Sequence, residues 1–273
     1  YLPHLDYDAQ RFGPHAPETA RAVREVDALC GELIADARTL GYRVVVLSEY
    51  GLTPVTGDIP INRVLRRAGL LRVRQELGRE LLDAGASEAF AVADHQVAHV
   101  YVRRPERVAE VHALVREVDG VESVFRRGDL DHPAAHARAG ELFLISRADR
   151  WFSYYYWLHD DVAPDFARCV DIHRKPGYDP VELFVDPDLR WPKFAIGRKL
   201  AAKKLGFRQL MDVIPLRPEL VRGSHGRVTD EPDDGPVLIS SETELVSDPT
   251  LDASEVKALL LRHVFNGVDE PLR

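Results

Sequence analysis

The sequence predicts an α/β fold, a mainly parallel sheet layered between helices with a small α+β module inserted into it. Three observations carry this. A long helical pattern from Pro17 to about Leu40 runs into Arg43-Val44-Val45-Val46-Leu47-Ser48-Glu49-Tyr50-Gly51, whose four consecutive apolar residues read as a strand buried on both faces. Gly140-Glu141-Leu142-Phe143-Leu144-Ile145-Ser146 reads as a second such strand. Between the two, helix and strand patterns alternate over roughly ninety residues, the signature of an insertion. The expected core is therefore residues 1–56 and 140–273, and the expected cap is residues 57–139.

Taken in order, residues 1–16 read as an irregular, proline-punctuated segment dense in acidic, amide, histidine and aromatic side chains. Pro17 opens the long helix, in which Val26, Cys30, Leu33, Ala37 and Leu40 recur at three- and four-residue spacing, and Gly41 ends it. In the insertion, Ile59–Leu71 reads as a short helix, Phe90–Val102 as a strand, Pro105–Val118 as a helix and Val121–Phe125 as a strand. The run Trp151-Phe152-Ser153-Tyr154-Tyr155-Tyr156-Trp157 reads as packing, in the core or against the cap. Residues 159–190 read as loop, Phe194–Leu205 as a helix, Pro236–Ser240 as a strand and Ser254–Phe265 as the last helix.

Of the 273 residues, 45% are hydrophobic and 29% charged, ordinary for a globular protein. A formal charge of -8 disfavours a nucleic-acid or membrane-surface binder, although Arg198-Lys199 and Lys203-Lys204 could meet a phosphate. Cys30 and Cys169 make neither a disulfide framework nor a thiolate metal site. No apolar run reaches transmembrane length and no signal peptide is visible, so the expected location is cytoplasmic. The first residue is Tyr1 and patterned sequence begins at once, so a preceding segment or a separate chain is expected to complete the fold.

Three distant segments pair glycine with side chains able to bind a cation: Asp6-x-x-x-Gln10-x-x-Gly13-Pro14, Ser48-Glu49-Tyr50-Gly51 and Gly223-Ser224-His225-Gly226. At the carboxyl end of a strand, Glu49 could ligate a metal, act as a base, cap a helix or simply end the strand. The ordered set resembles the alkaline phosphatase superfamily, in its nucleotide pyrophosphatase/phosphodiesterase and phosphonoacetate hydrolase branch. There a D-x-x-x-H-x-x-G-P segment precedes a long helix, a strand ends in S-D-H-G, a cap is inserted, and a G-x-H-G segment closes the site.

The resemblance implies an alkaline phosphatase-like core that hydrolyses a small phosphoryl or phosphonate compound with divalent metal. It makes Asp6 and His225 ligands of one cation, with Gln10 where the family has a histidine. Glu49 and Tyr50 stand where an Asp-His pair would hold a second. The family's nucleophile and a further aspartate precede the first segment, and no residue of this sequence corresponds to them. Zinc is the metal the resemblance implies, whereas the oxygen-rich set Asp6, Gln10, Glu49 and His225 suits manganese or magnesium. The alternative is a catalytically inactive member kept as a binding or scaffold protein.

Other candidates read more simply. His95 and His99 are expected on one strand face as packing or cap-surface residues, and His132 and His136 in a loop-to-helix start. His173-Arg174-Lys175 beside Gly177-Tyr178-Asp179 is either an anion contact or a solvated basic turn. Asp160-Asp161 and Asp233-Asp234 are expected at the surface.

Overall fold

The computed structural model describes residues 1–129, 135–229, 231–246 and 248–265. His132 lies outside the described residues. In chain order the elements begin with α1 (His4–Phe12), α2 (Pro17–Thr39), β1 (Val45–Leu47), β2 (Thr53–Pro54), β3 (Gly57–Ile59) and α3 (Ile61–Arg67). There follow β4 (Val73–Glu76), β5 (Arg79–Leu82), β6 (Ala89–Asp94), β7 (Val97–Val102), α4 (Val108–Arg116) and β8 (Val121–Arg126). The chain continues through β9 (Leu142–Ser146), β10 (Arg150–Phe152), α5 (Pro192–Lys204), β11 (Gly223–Ser224), β12 (Leu238–Ser240) and α6 (Val256–Phe265).

This is a mixed α/β chain with small sheets. The largest is four-stranded and antiparallel, in the order β6-β7-β9-β8. Three of its strands, β6, β7 and β9, alternate strictly, so that one face is buried through Ala89, Ala91, Ala93, Ala98, Val100, Val102, Leu142 and Leu144. Ile61 and Leu65 of α3 and Val111 and Val115 of α4 belong to the same core. Leu142–Ser146, expected in the core beyond residue 139, is thus a central strand of the same sheet as β6, β7 and β8.

Among the described strands the expected mainly parallel sheet is met only in the β3–β10 pair; the other pairings are antiparallel. Nor is the Val44–Leu47 run buried on both faces: β1 pairs with β12 alone, Val45 and Val46 are half-buried, and Leu47 is exposed. A β-branched run specifies an extended backbone, but not how many neighbours the strand acquires. Phe90–Val102 is likewise two strands, folded back at Asp94–Val97. Residues 4–12 form a helix where an irregular segment was expected. Along α2 only Thr19 and Ala22 are fully buried, while Leu33 and Leu40 stay exposed.

The aromatic run is core. Trp151, Phe152, Tyr154, Tyr155, Tyr156 and Trp157 are each at most 1% exposed, and edge-on contacts join Tyr154 to Tyr155 and Trp157. Trp157 Nε1 donates to Asp160 at 2.9 Å and Arg63 binds the same oxygen at 3.0 Å, so Asp160 fixes this cluster as well as meeting solvent.

The outer edge of β6 would be an open template for pairing, and Asn62 closes it. Its amide oxygen accepts from Ala91 N–H at 2.7 Å, and its nitrogen donates to the carbonyls of Ala91 at 2.8 Å and Tyr154 at 3.3 Å. Replacing Asn62 with Leu leaves these buried backbone groups unpaired. The expected loss is about 2–4 kcal/mol, read as a drop in the urea midpoint; an unchanged midpoint would refute the assignment.

Candidate functional site

The spacing Asp6-x-x-x-Gln10 puts both side chains on one face of α1, one turn apart, and Gln10 Nε2 donates to Asp6 Oδ2 at 2.8 Å. Gln10 is buried. Gly13, at φ +94°, ends the helix with its N–H on Ala9. The far side of α1 rests on the chain entering β11: Arg222 N–H donates to the Gln10 carbonyl at 2.8 Å, and Gly223 packs against Ala9.

His225 leaves β11 beside this helix, its Nε2 3.8 Å from Asp6 Oδ1. The Tyr50 ring lies flat on one face of the imidazole, with centroids 3.6 Å apart and planes within 7°. His95 covers the other face at 3.8 Å, and Tyr178 stacks on His95 at 4.3 Å. Tyr50, His225, His95 and Tyr178 therefore form one column of rings built from four distant segments.

His95 sits in the two-residue turn between β6 and β7, at φ +54°, not on a strand face shared with His99. His99 is on β7, against Phe143. Backbone bonds fasten the turn: Gln96 N–H donates to the His225 carbonyl at 2.8 Å, Phe152 N–H to His95 at 2.6 Å, and Tyr178 N–H to Ala93 at 2.9 Å. His95 Nδ1 is 2.7 Å from Asp94 Oδ1, which holds the Asp94 carboxyl below its ordinary range.

Burial dominates the electrostatics. Loss of water, reinforced by the nearby His95, pushes the His225 imidazole down to about 3, so the ring is neutral at physiological pH. Burial raises the Asp6 carboxyl, opposed by the Gln10 amide, His95 and the Tyr50 hydroxyl. Burial, then the charge of Asp6, pushes the Tyr50 phenol up, so it remains a hydrogen-bond donor. Asp6 Oδ1 and His95 Nε2 are buried with no close hydrogen-bond partner among the described residues, the Tyr50 hydroxyl acting on the Asp6 carboxyl from farther off.

The structure thus brings together Asp6, Gln10, Tyr50 and His225, and adds His95, Asp94 and Tyr178, which sequence reasoning missed. Glu49 is exposed and forms no ion pair with His225; its effect on the cluster is to raise the Tyr50 phenol further through its charge. Asp6 Oδ1 and His225 Nε2 face each other at 3.8 Å, a separation no greater than the span of two donors each about 2.0–2.2 Å from a shared ion. Among the described residues no three His, Cys, Asp or Glu side chains are arranged to hold a metal ion.

Neither reading of the basic turn applies to Lys175, whose buried ammonium lies 2.8 Å from Asp179 and 2.6 Å from Glu182. Arg174 pairs with Asp165 at 3.1 Å. No helix among the described residues is long and apolar enough to cross a membrane.

A family model described as type I phosphodiesterase / nucleotide pyrophosphatase matches residues 1–179. No curated protein matches the sequence. Murine ectonucleotide pyrophosphatase/phosphodiesterase 5 is similar in structure over 98% of this chain, with a TM-score of 0.52 and 12% identity. Phosphonoacetate hydrolase from Sinorhizobium meliloti 1021, solved with phosphonoformate, is similar over 58%, with a TM-score of 0.40 and 20% identity. The chain spans 53% of the murine protein's length and 38% of the bacterial one's. With the murine protein the likeness is one of fold.

Proposed function

Because the chain belongs to the type I phosphodiesterase / nucleotide pyrophosphatase family, we propose that it serves hydrolysis of a phosphodiester, phosphonate or related small phosphoryl compound, dependent on one divalent cation. The observation that carries this reading is the unpartnered Asp6 Oδ1, buried 3.8 Å from the nitrogen of a neutral His225. A buried acceptor left unpaired costs about 1–3 kcal/mol, and a cation there would relieve that cost.

Asp6 and His225 would hold the cation, which would supply polarisation of a phosphoryl oxygen and stabilisation of the leaving group. Asp6 supplies negative charge and His225 a neutral nitrogen donor. Gln10 occupies Asp6 Oδ2 and so leaves Oδ1 as the oxygen that would hold the cation. Tyr50, held protonated, donates to a phosphoryl oxygen and screens His225 from water with its ring. Because Glu49 is exposed and Tyr50 is stacked, this reading has one cation instead of a two-metal clamp. Manganese, magnesium and zinc are the ions to try, since one carboxylate and one imidazole suit all three. The insertion contributes through the His95 turn, and the free Cys30 and Cys169 suit a cytoplasmic protein.

A second reading, an inactive member serving as a binding or scaffold protein, is favoured by the lack of a three-ligand group among the described residues. Hydrolysis of a chromogenic phosphodiester with added manganese or zinc separates the two. The enzyme reading expects metal-dependent turnover that falls at least about 100-fold in His225→Ala. A folded protein that is inert with every metal supports the scaffold.

A further inference from the structure

The β1–β12 ribbon has one strand edge without a neighbour. Ser241 N–H donates to the Val44 carbonyl at 2.9 Å and Ser48 N–H to the Val237 carbonyl at 2.9 Å, so Val44 and Ser48 turn their backbone groups toward β12. Val45 and Leu47 alternate with them and turn theirs to the opposite side, where no strand among the described residues pairs with β1. The ribbon's side chains are apolar and incompletely covered: Val45 and Val46 are half-buried, Leu47 is 45% exposed and Ile239 61%. An edge of this kind is a template for another strand.

We propose that this edge is an interface between two copies of the chain, formed by antiparallel pairing of β1 with β1 of a second copy about a two-fold axis at Val46. The sequence around the strand selects that occupant. Arg43-Val44-Val45-Val46-Leu47-Ser48-Glu49 carries a cation three residues before Val46 and an anion three residues after it. Reversing the strand about Val46 sets Arg43 opposite Glu49 of the second copy, and the symmetry repeats the contact at the other end. In-register parallel pairing would set like charge against like at both ends, and a shift of one residue would lose the match, so charge fixes direction and register together.

The backbone agrees with the charges. The same axis sets Val45 opposite Leu47 of the second copy, and both have their N–H and carbonyl groups on the open side, as a hydrogen-bonded pair requires. Glu49 is exposed at a bend just beyond the strand, so its side chain makes the contact across the end of the pairing. Arg43 has 38% of its side chain exposed and meets Glu242 at 3.7 Å; a guanidinium carries five donors, so a second carboxylate can share it. The result is one sheet of four strands, β12 and β1 followed by β1 and β12 of the second copy.

Sedimentation equilibrium of the full chain over a range of concentrations tests this, with circular dichroism to establish that each variant is folded. Wild type is expected to show a dimer fraction that rises with concentration. Glu49→Arg brings like charges together at both ends and should weaken the dimer about 10-fold or more, as should Arg43→Glu. Mixed in equal amounts, these two variants should pair with each other at about wild-type strength, because both contacts are again between opposite charges. Leu47→Pro removes an N–H donor from the open edge and no bond to β12; it should give a monomer, and it decides the matter if Arg43→Glu does not fold. A wild type that is monomeric at every concentration would overturn the proposal and leave the edge to a strand of another polypeptide. A dimer that Glu49→Arg and Leu47→Pro leave unchanged would overturn it too, by placing the contact elsewhere on the surface.

Discussion

Lys175→Met is expected to cost the fold about 3–5 kcal/mol, a large share of the stability of a domain this size. The ammonium is fully buried between Asp179 at 2.8 Å and Glu182 at 2.6 Å, and lies 5.7 Å from the centre of the Tyr154 ring. Burial already raises the Asp179 carboxyl, and the lysine opposes that rise. Without it, two carboxylates stay in the interior with no counter-charge. Denaturant unfolding of the variant measures the cost. The triple variant Lys175→Met, Asp179→Asn, Glu182→Gln should recover most of it, because the uncompensated charge is then gone. If the single variant unfolds at the wild-type midpoint, the triad contributes nothing. The loss should also reach the site, since Tyr178, which stacks on His95, lies between Lys175 and Asp179.

Gly223→Ala is expected to be nearly as damaging, by a different route. A methyl there would sit 2.3 Å from the Ala9 carbonyl oxygen and 3.0 Å from its carbon, and backbone atoms cannot swing aside. Either β11 or α1 must move, at about 1–3 kcal/mol or more. Because α1 carries Asp6 and Gln10, a displacement near 1 Å should also lower turnover by about 100-fold if the hydrolase reading holds. Gly31→Ala is the control: nothing lies within 4 Å of its added methyl, it is in the middle of α2, and it should stabilise by about 0.5–1 kcal/mol. Equal melting temperatures for the two glycine variants would dispose of the argument.

How much of this could be read in advance varied with how local the signal was. The aromatic run from Trp151 was legible because six large rings in seven residues have nowhere to go but inward. That Asp6 and His225 lie 3.8 Å apart accords with their place in an ordered set of segments. The helix around Asp6 was missed, although the four-residue gap to Gln10 is itself a helical spacing. His95 was misplaced because Phe90–Val102 looks like one apolar run. The polar triplet Asp94-His95-Gln96 interrupts it, and that break was the available sign of a hairpin. What no local pattern carries is the column of rings: Tyr50, His95, Tyr178 and His225 are brought together only by tertiary bonds. Glu49 is exposed, which its position in a motif did not say.

The bonds that fasten the His95 turn restrict how anything can enter or leave. The four-stranded sheet could not move as a unit without first breaking the links from Gln96 to His225, from Tyr178 to Ala93 and from Phe152 to His95. Any change in that region must begin as local movement, with the four-stranded sheet still tied to His225, Phe152 and Tyr178.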